Sequence, residues 1–354
     1  SKGRVPWVLF YNPDCEADCS ASSNYSKSAL VLGMEEDLGL LMTHFAVASD
    51  VVALKKIPQN KFLRYMQNIG VKLPQYLEIA NWENLPAQIG DRKIKGILPW
   101  GWTPRLQKWE EKFKSCAKDY SYCPKNAASA FQSKLTSFKL LKDFTLKCQN
   151  NNGSISSTLI DKFPEWGGIV CENYEEVENA IISLRRKVGN DLVIRSEFGV
   201  AGQGMVRLFE PEIKINHKNW CLQILKSEKL MIEPWLDRVA DCSCHIDIRD
   251  GKIKRVGVTR MLTSFQGQYE GSLTGKPGLI FPKNVTDILY GKEGALEMLW
   301  EFAEFAGADY IHKGYNGPLC IDAFFYLYNN RETRLLPCLE IHASFSISHF
   351  ALDA

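Results

Sequence analysis

Pro318-Leu319-Cys320-Ile321-Asp322-Ala323-Phe324-Phe325-Tyr326 and Leu335-Leu336-Pro337-Cys338-Leu339-Glu340-Ile341 are two apolar runs, joined by the polar segment 328–334. Their β-rich apolar composition and the turn residues between them predict a β-hairpin or two adjacent strands. A carboxylate inside such a run costs free energy unless something compensates it. A bound cation is the simplest compensation, and solvation or a salt bridge is the bland alternative. Asp322 and Glu340, the latter in the triplet Glu340-Ile341-His342, are therefore the first candidate metal ligands.

Upstream, Leu192-Val193-Ile194-Arg195 runs into a glycine-rich stretch, Gly199 to Gly204, and then into Met205–Phe209. Strand, glycine-rich turn, strand is a hairpin, and so neither a P-loop nor a Rossmann turn, both of which lead into a helix. Backbone N–H groups of such a turn can approach phosphate oxygens closely, which larger side chains would obstruct. Arg195, on a strand of buried character, calls for an anion, either a phosphate or a structural carboxylate. Leu230-Met231-Ile232-Glu233-Pro234-Trp235-Leu236 and then Asp241 follow.

The rest of the chain reads as α+β. Strands are expected at 5–11, 51–54, 94–99, 242–248 and 253–261, and helices at 28–48, 60–69, 127–144, 174–188 and 293–305. In the helix at 174–188, Val177, Ala180, Ile181 and Leu184 form the apolar face. A chain of 354 residues suits two or three packed units. A net charge of +2 without a Lys/Arg block argues against nucleic acid as a main partner. No apolar run approaches the roughly 20 residues of a membrane span. The N-terminal stretch is too short for a signal peptide and reads as a first buried strand. Eleven scattered cysteines predict reduced thiols in a cytoplasmic protein, without zinc-site spacing. Trp100 and Trp102 read as interdomain packing rather than a stacking platform, and His245 and Asp247 as a solvated strand face. The polar stretch 266–274 is either a substrate loop or a long turn.

The order of cationic strand, glycine-rich hairpin, Ile-Glu-x-x-Leu hinge, acidic residue and paired Asp and Glu resembles the ATP-grasp superfamily. The resemblance covers about 125–354 and is preceded by a segment similar to a pre-ATP-grasp α/β domain. The Asn12-Pro13-Asp14 turn and Trp100-Gly101-Trp102 are similar to those of an uncharacterised bacterial branch. The resemblance implies a pre-ATP-grasp domain over 1–125, an N-terminal grasp subdomain over 126–232 and a C-terminal one over 233–354. It places Lys134 and Arg195 on the phosphates of ATP, with Gly199, Gly202 and Gly204 in the lid above them. The backbone of Glu233, Pro234, Trp235 and Leu236 would read adenine, and Asp241, with one residue of slack, would bind ribose. Asp322 and Glu340 would hold Mg²⁺.

Three positions depart from the family pattern. Arg195 stands where lysine is usual. His342 stands where asparagine is usual; imidazole suits Mn²⁺ better than Mg²⁺, so His342 either binds Mn²⁺ or acts from behind the ligands. Ser344 stands where many members carry an arginine that steadies the transferred phosphoryl group; Arg260 is the nearest substitute by sequence, a surface strand arginine being the alternative. The implied activity is that of an ADP-forming ligase, which activates a small-molecule carboxylate as an acyl phosphate and joins it to an amine or thiol. The alternatives are a nucleotide-binding protein that has lost catalysis, or a phosphotransferase acting on a hydroxyl. Oligomeric state is not legible.

Overall fold

The computed structural model describes residues 4–20, 27–107, 109–113, 128–150, 167–199, 204–264, 269–292, 294–329 and 331–353. In the leading unit, β1 (Trp7–Phe10), β2 (Val51–Leu54), β3 (Gln75–Glu78) and β4 (Gly96–Pro99) form a parallel sheet in the order β3-β2-β1-β4. β1, β2 and β4 are buried at every residue, as apolar strands of a parallel sheet covered on both faces must be. Residues 28–48 are not one helix. They form a helix over Ala29–Leu38, a 3₁₀ turn over Gly39–Leu41 and a short helix over Met42–Phe45. The chain tightens at Gly39, where a Cβ would come within 3.3 Å of Leu54.

A second sheet contains β5 (Ile169–Cys171), β6 (Leu192–Ser196), β7 (Met205–Leu208) and β8 (Leu230–Pro234), antiparallel in the order β5-β8-β6-β7. The Tyr174–Val188 helix packs on it with the four expected apolar residues buried. The Asn173 side chain accepts from Glu176 N, while the Glu176 carboxylate accepts from Glu172 N. Acids occupy the first turn and bases the last, matching the helix dipole, and Gly189 at φ +97° ends it. This unit has a hydrophobic core of its own.

The third sheet holds β9 (Arg238–Arg249), β10 (Lys252–Thr263), β11 (Tyr269–Leu273), β12 (Gly317–Tyr328) and β13 (Glu332–His342), in the order β11-β10-β9-β12-β13. The expected hairpin is β12–β13; Asn329, at φ +51°, lies in its turn. Alternation along these strands sorts the residues by face. Cys242, Cys244, Ile246, Ile321, Ala323 and Phe325 are buried on the side of the Ala295–His312 helix. Asp241, Ser243 and His245 of β9 share the opposite face with Cys320 and Asp322 of β12 and with Glu340 and His342 of β13.

His245 is not on a solvated face. It is fully buried, hydrogen-bonded to Thr259 at 3.1 Å and covered by His349 at 4.4 Å between ring centroids. The carboxyl-terminal helix Ile347–Asp353 supplies that cover, which strand periodicity alone does not reveal. Asp247 is half-buried and paired with Arg249.

The segment expected as one helix from 127 is broken into Ala128–Gln132 and Lys134–Asn150. Ser133 sits at the break, its hydroxyl accepting from Leu135 N at 3.2 Å and donating to Glu197 at 2.6 Å. Both helices pack against β13, and Ile341 N donates to Ser137 Oγ at 2.9 Å, which covers the edge of the sheet. Phe131, Leu140, Leu141 and Phe144 thus join the large core that the leading sheet shares with the third sheet. Among the described residues, no helix is long and apolar enough to cross a membrane. The nine described cysteines carry free thiols.

Candidate active site

Antiparallel pairing of β12 with β13 places Asp322 directly opposite Glu340, and Cys320 opposite His342. His342 Nε2 lies 3.2 Å from Asp322 Oδ2 and 3.5 Å from Glu340 Oε1. One ligand atom from each of the three falls within 4.8 Å of the others. The hydroxyl of Ser243, opposite Asp322 on β9, donates to Asp322 Oδ1 at 2.7 Å and leaves Oδ2 to the cluster.

Two cations face this trio. Lys134, first residue of its helix, has Nζ 3.3 Å from Glu340 Oε2 and 2.7 Å from the carbonyl of Gly199. Arg195 on β6 donates through Nε to Glu233 Oε2 at 2.7 Å and through Nη2 to the Leu339 carbonyl at 3.2 Å, with Nη1 3.7 Å from Glu340. Burial alone would raise the Glu340 carboxyl, but Lys134, the hydrogen bond from His342 and Arg195 together hold it well below the ordinary range. Burial likewise disfavours a charged His342, yet Glu16 and the hydrogen bonds to Asp322, Glu16 and Glu340 hold its imidazole well above the usual value.

Glu16 was not singled out from the sequence. It sits in the Cys15–Ser20 helix after β1, and its Oε1 accepts from His342 Nδ1 at 2.6 Å. Its Oε2 lies 3.8 Å from Lys134 Nζ, buried and without a hydrogen bond. Asn12 fixes this helix's approach: its side chain donates to Gly101 O at 2.8 Å and accepts from Gly101 N at 3.3 Å. Gly101 in turn bridges Ser344, just past β13, and a Cβ there would lie 2.4 Å from Cys15 Sγ. Trp100 and Trp102 are buried in this seam, and Trp100 packs edge-on against Tyr11. The only sequence hint of Glu16 was the Asn12-Pro13-Asp14 turn four residues before it.

Glu16, Glu233, Asp322 and Glu340 thus stand against Lys134 and Arg195. With a neutral imidazole the cluster carries two uncompensated negative charges, which is the charge of one divalent cation. The donor set of two carboxylates and one imidazole fits such an ion, and Asp322, Glu340 and His342 are the residues that would hold it.

Two cavities meet at Glu340. The first is lined by Lys134, Arg195, Gly199, Gly204 and the backbone run Glu233-Pro234-Trp235-Leu236. Gly204, at φ +79°, accepts from Ser196 N at 2.8 Å, and a Cβ there would lie 2.4 Å from Ser196 Oγ, so this position fits only glycine. Gly202 lies outside the described residues. Trp235 is flanked by the guanidinium groups of Arg207 and Arg238 at 5.3 and 5.4 Å. The second cavity, about 260 Å³, lies on the other side of the trio and is lined by Glu16, Arg238, Asp241, Ser243, Ser344 and Ser346 among others.

The structure does not bring Asp241 into the first cavity. Its carboxylate is taken by Arg238 at 2.9 Å and by the Thr263 hydroxyl at 2.8 Å, beside the second cavity. Nor does it bring Arg260 to the trio. Arg260 pairs with Cys242 across β9–β10, so it projects from the face opposite Asp322 and donates to the Ile280 carbonyl at 2.9 Å. A period of two decides this, and nearness in sequence could not.

No protein-family model and no curated protein matches the chain. Among solved structures it is similar to the N5-carboxyaminoimidazole synthetase of Staphylococcus aureus complexed with ADP, at 12% identity over 98% of this chain and 72% of that one, with a TM-score of 0.51. It is similar to the biotin carboxylase–β,γ-ATP complex of Campylobacter jejuni, at 13% identity over 99% of this chain and 67% of that one, TM-score 0.50. Against pyruvate carboxylase of Rhizobium etli the identity is 11% over 99% of this chain and 27% of that one, TM-score 0.56. The chain thus shares the α+β fold of these structures.

Proposed function

We propose that the protein is an ATP-dependent, ADP-forming ligase that activates a small-molecule carboxylate as an acyl phosphate and joins it to an amine or thiol. One observation carries the reading: the Asp322, Glu340 and His342 trio lines the second cavity, and its Glu340 also lines the first, together with Lys134, Arg195, Gly199 and Gly204. The chemistry of the first cavity's lining suits ATP. The backbone of Glu233 to Leu236 borders the adenine position, where a proline does no harm because its carbonyl still accepts from the adenine amino group. Gly199 and Gly204 border the phosphates, with Gly202 between them in the sequence. Lys134 and Arg195 offer a point charge and a planar fork to the phosphate oxygens.

A divalent ion at the trio, Mg²⁺ or Mn²⁺, would supply charge neutralisation at the phosphates. The chain's own residues do the rest. Lys134 and Arg195 position the γ-phosphate, the lid excludes water, and the second cavity holds the carboxylate in line with it. The carboxylate oxygen forms a bond to the γ-phosphorus as the bond to the β–γ bridging oxygen breaks and ADP leaves. The amine then takes the acyl carbon, and inorganic phosphate departs.

The test is ADP release that requires both a carboxylate and an amine, with hydroxylamine trapping a hydroxamate from the activated carboxylate. ATP binding without ADP formation across a broad panel of acids and amines would overturn it. One observation favours a second reading, that of a nucleotide-binding protein without turnover. Among the described residues lining the second cavity, the only cationic side chains are His342 and Arg238, and Arg238 is already paired with Asp241.

A further inference from the structure

We propose that Glu16, contributed by the leading domain, is a positioning residue for the metal site: it fixes the His342 ring so that Nε2 presents its lone pair to the ion, and thereby tunes the site to Mn²⁺ over Mg²⁺. The inference rests on the metal reading given above and goes beyond it, because Glu16 lies outside the trio and on another domain.

The geometry is the argument. An imidazole has two different nitrogens, and the hydrogen bond made by one decides what the other can do. His342 Nδ1 donates to Glu16 Oε1 at 2.6 Å, so the nitrogen left for a ligand is Nε2. Nε2 is the one that lies between Asp322 Oδ2 at 3.2 Å and Glu340 Oε1 at 3.5 Å. The ring is therefore aimed from behind by a buried carboxylate, an arrangement that raises ligand basicity and holds orientation.

Glu16 is itself held in place. Asn12 clamps Gly101 through two hydrogen bonds, and Gly101 leaves no room for a Cβ between Cys15 and Ser344. The leading domain is thus pressed onto the end of β13 through a contact that requires glycine. Mg²⁺ prefers oxygen ligands and gains little from an imidazole, whereas Mn²⁺ accepts nitrogen readily. A carboxylate devoted to aiming an imidazole makes chemical sense for the second ion.

The experiment measures Mn²⁺ and Mg²⁺ binding to the full chain by calorimetry, without substrates, and records pulsed EPR of the bound Mn²⁺ for ¹⁴N modulation. Circular dichroism and thermal melts check that each variant folds. Wild-type protein is expected to bind Mn²⁺ about tenfold or more tightly than Mg²⁺ and to show the ¹⁴N signal. Glu16→Gln should lower Mn²⁺ affinity roughly 10–100-fold and weaken the ¹⁴N signal, with Mg²⁺ affinity moving less than about threefold. Glu16→Asp should restore part of the loss. In a His342→Asn background, Glu16→Gln should change neither affinity, a non-additivity that a merely structural role would not produce. If Glu16→Gln binds Mn²⁺ like wild type with an unchanged signal, while Asp322→Asn abolishes binding, the role of Glu16 is overturned and the metal site stands. If wild type binds neither ion, with or without an ATP analogue, both fall.

Discussion

Glu340→Gln separates what Glu340 does for a metal from what it does to Lys134 and Arg195. Its Oε2 lies 3.3 Å from Lys134 Nζ and 3.7 Å from Arg195 Nη1. The two cations proposed for the phosphates thus also have a carboxylate as neighbour. At an effective dielectric of ~20 these distances correspond to gross attractions of about 5 and about 4 kcal/mol. Hydration, and the neighbouring acids Glu16 and Glu233 that would hold the same cations, offset most of it. A net restraint of about 1.4 kcal/mol is tenfold in affinity. The amide keeps the shape of Glu340 and removes its charge. Binding of ATP in the presence of EDTA, measured by calorimetry, should therefore tighten about tenfold. Metal-dependent ADP release should instead fall by at least roughly 10²–10³-fold, since a ligand and its charge are gone. The two readouts move in opposite directions. Should metal-free ATP binding weaken together with turnover, Glu340 does not restrain the cations and the reasoning is wrong.

Arg260→Ala should leave ADP release within about twofold and lower stability by about 1 kcal/mol, because it removes a hydrogen bond to Ile280 on the face away from the trio; a large loss of turnover at unchanged stability would return Arg260 to the site. Gly101→Ala should cost about 1–3 kcal/mol in urea denaturation and weaken Mn²⁺ binding in parallel, since a Cβ placed 2.4 Å from Cys15 Sγ must push the Glu16 helix away from β13; unchanged stability and metal affinity would show that the seam is slack. Burial pushes the His349 imidazole down from 6.5 to about 3. Below pH ~6.5 the unfolded chain gains a proton that the folded one refuses, so this ring removes about 1.4 kcal/mol of stability per pH unit as pH falls toward 3. Wild type should accordingly lose about 2 kcal/mol more than His349→Gln between pH 7 and pH 5 in urea titrations, and equal losses would refute the assignment.

Much of the fold was legible because its signals are local. The hairpin carrying Asp322 and Glu340 announced itself through two apolar runs and a polar turn, and strand pairing then made the two acids direct neighbours. The Tyr174–Val188 helix carried its charges and its apolar face within its own fifteen residues. What failed was information spread across the sheet or across domains. The helix from 127 broke at Ser133 because a hydroxyl found partners in Leu135 and in Glu197, the latter distant in sequence. Arg260 and Asp322 differ in face because of the register between β9, β10 and β12, and no window along one strand contains that register. His245 was expected in solvent because its cover, His349, comes from the last helix.

Glu16 marks the limit of sequence reading and also suggests why the leading domain is there at all. Its partner His342 is 326 residues away, so no motif could join them. The leading sheet and the trio-bearing sheet share one hydrophobic core, whereas the β5–β8 unit has another. The site is therefore divided between two bodies. Glu16, Lys134, Asp322, Glu340 and His342 lie on elements of the large one, and Arg195 and Glu233 on strands of the small one. The Glu16 to His342 contact lies on the side of the large core, whereas the Arg195 to Glu340 contact at 3.7 Å links the two bodies. On the proposed reading, Glu16 would keep the His342 ring aimed from within the same core. That division accounts for a buried acid whose second oxygen has no hydrogen bond: Glu16 Oε2 faces Lys134, the cation on the large body that a phosphate would draw away.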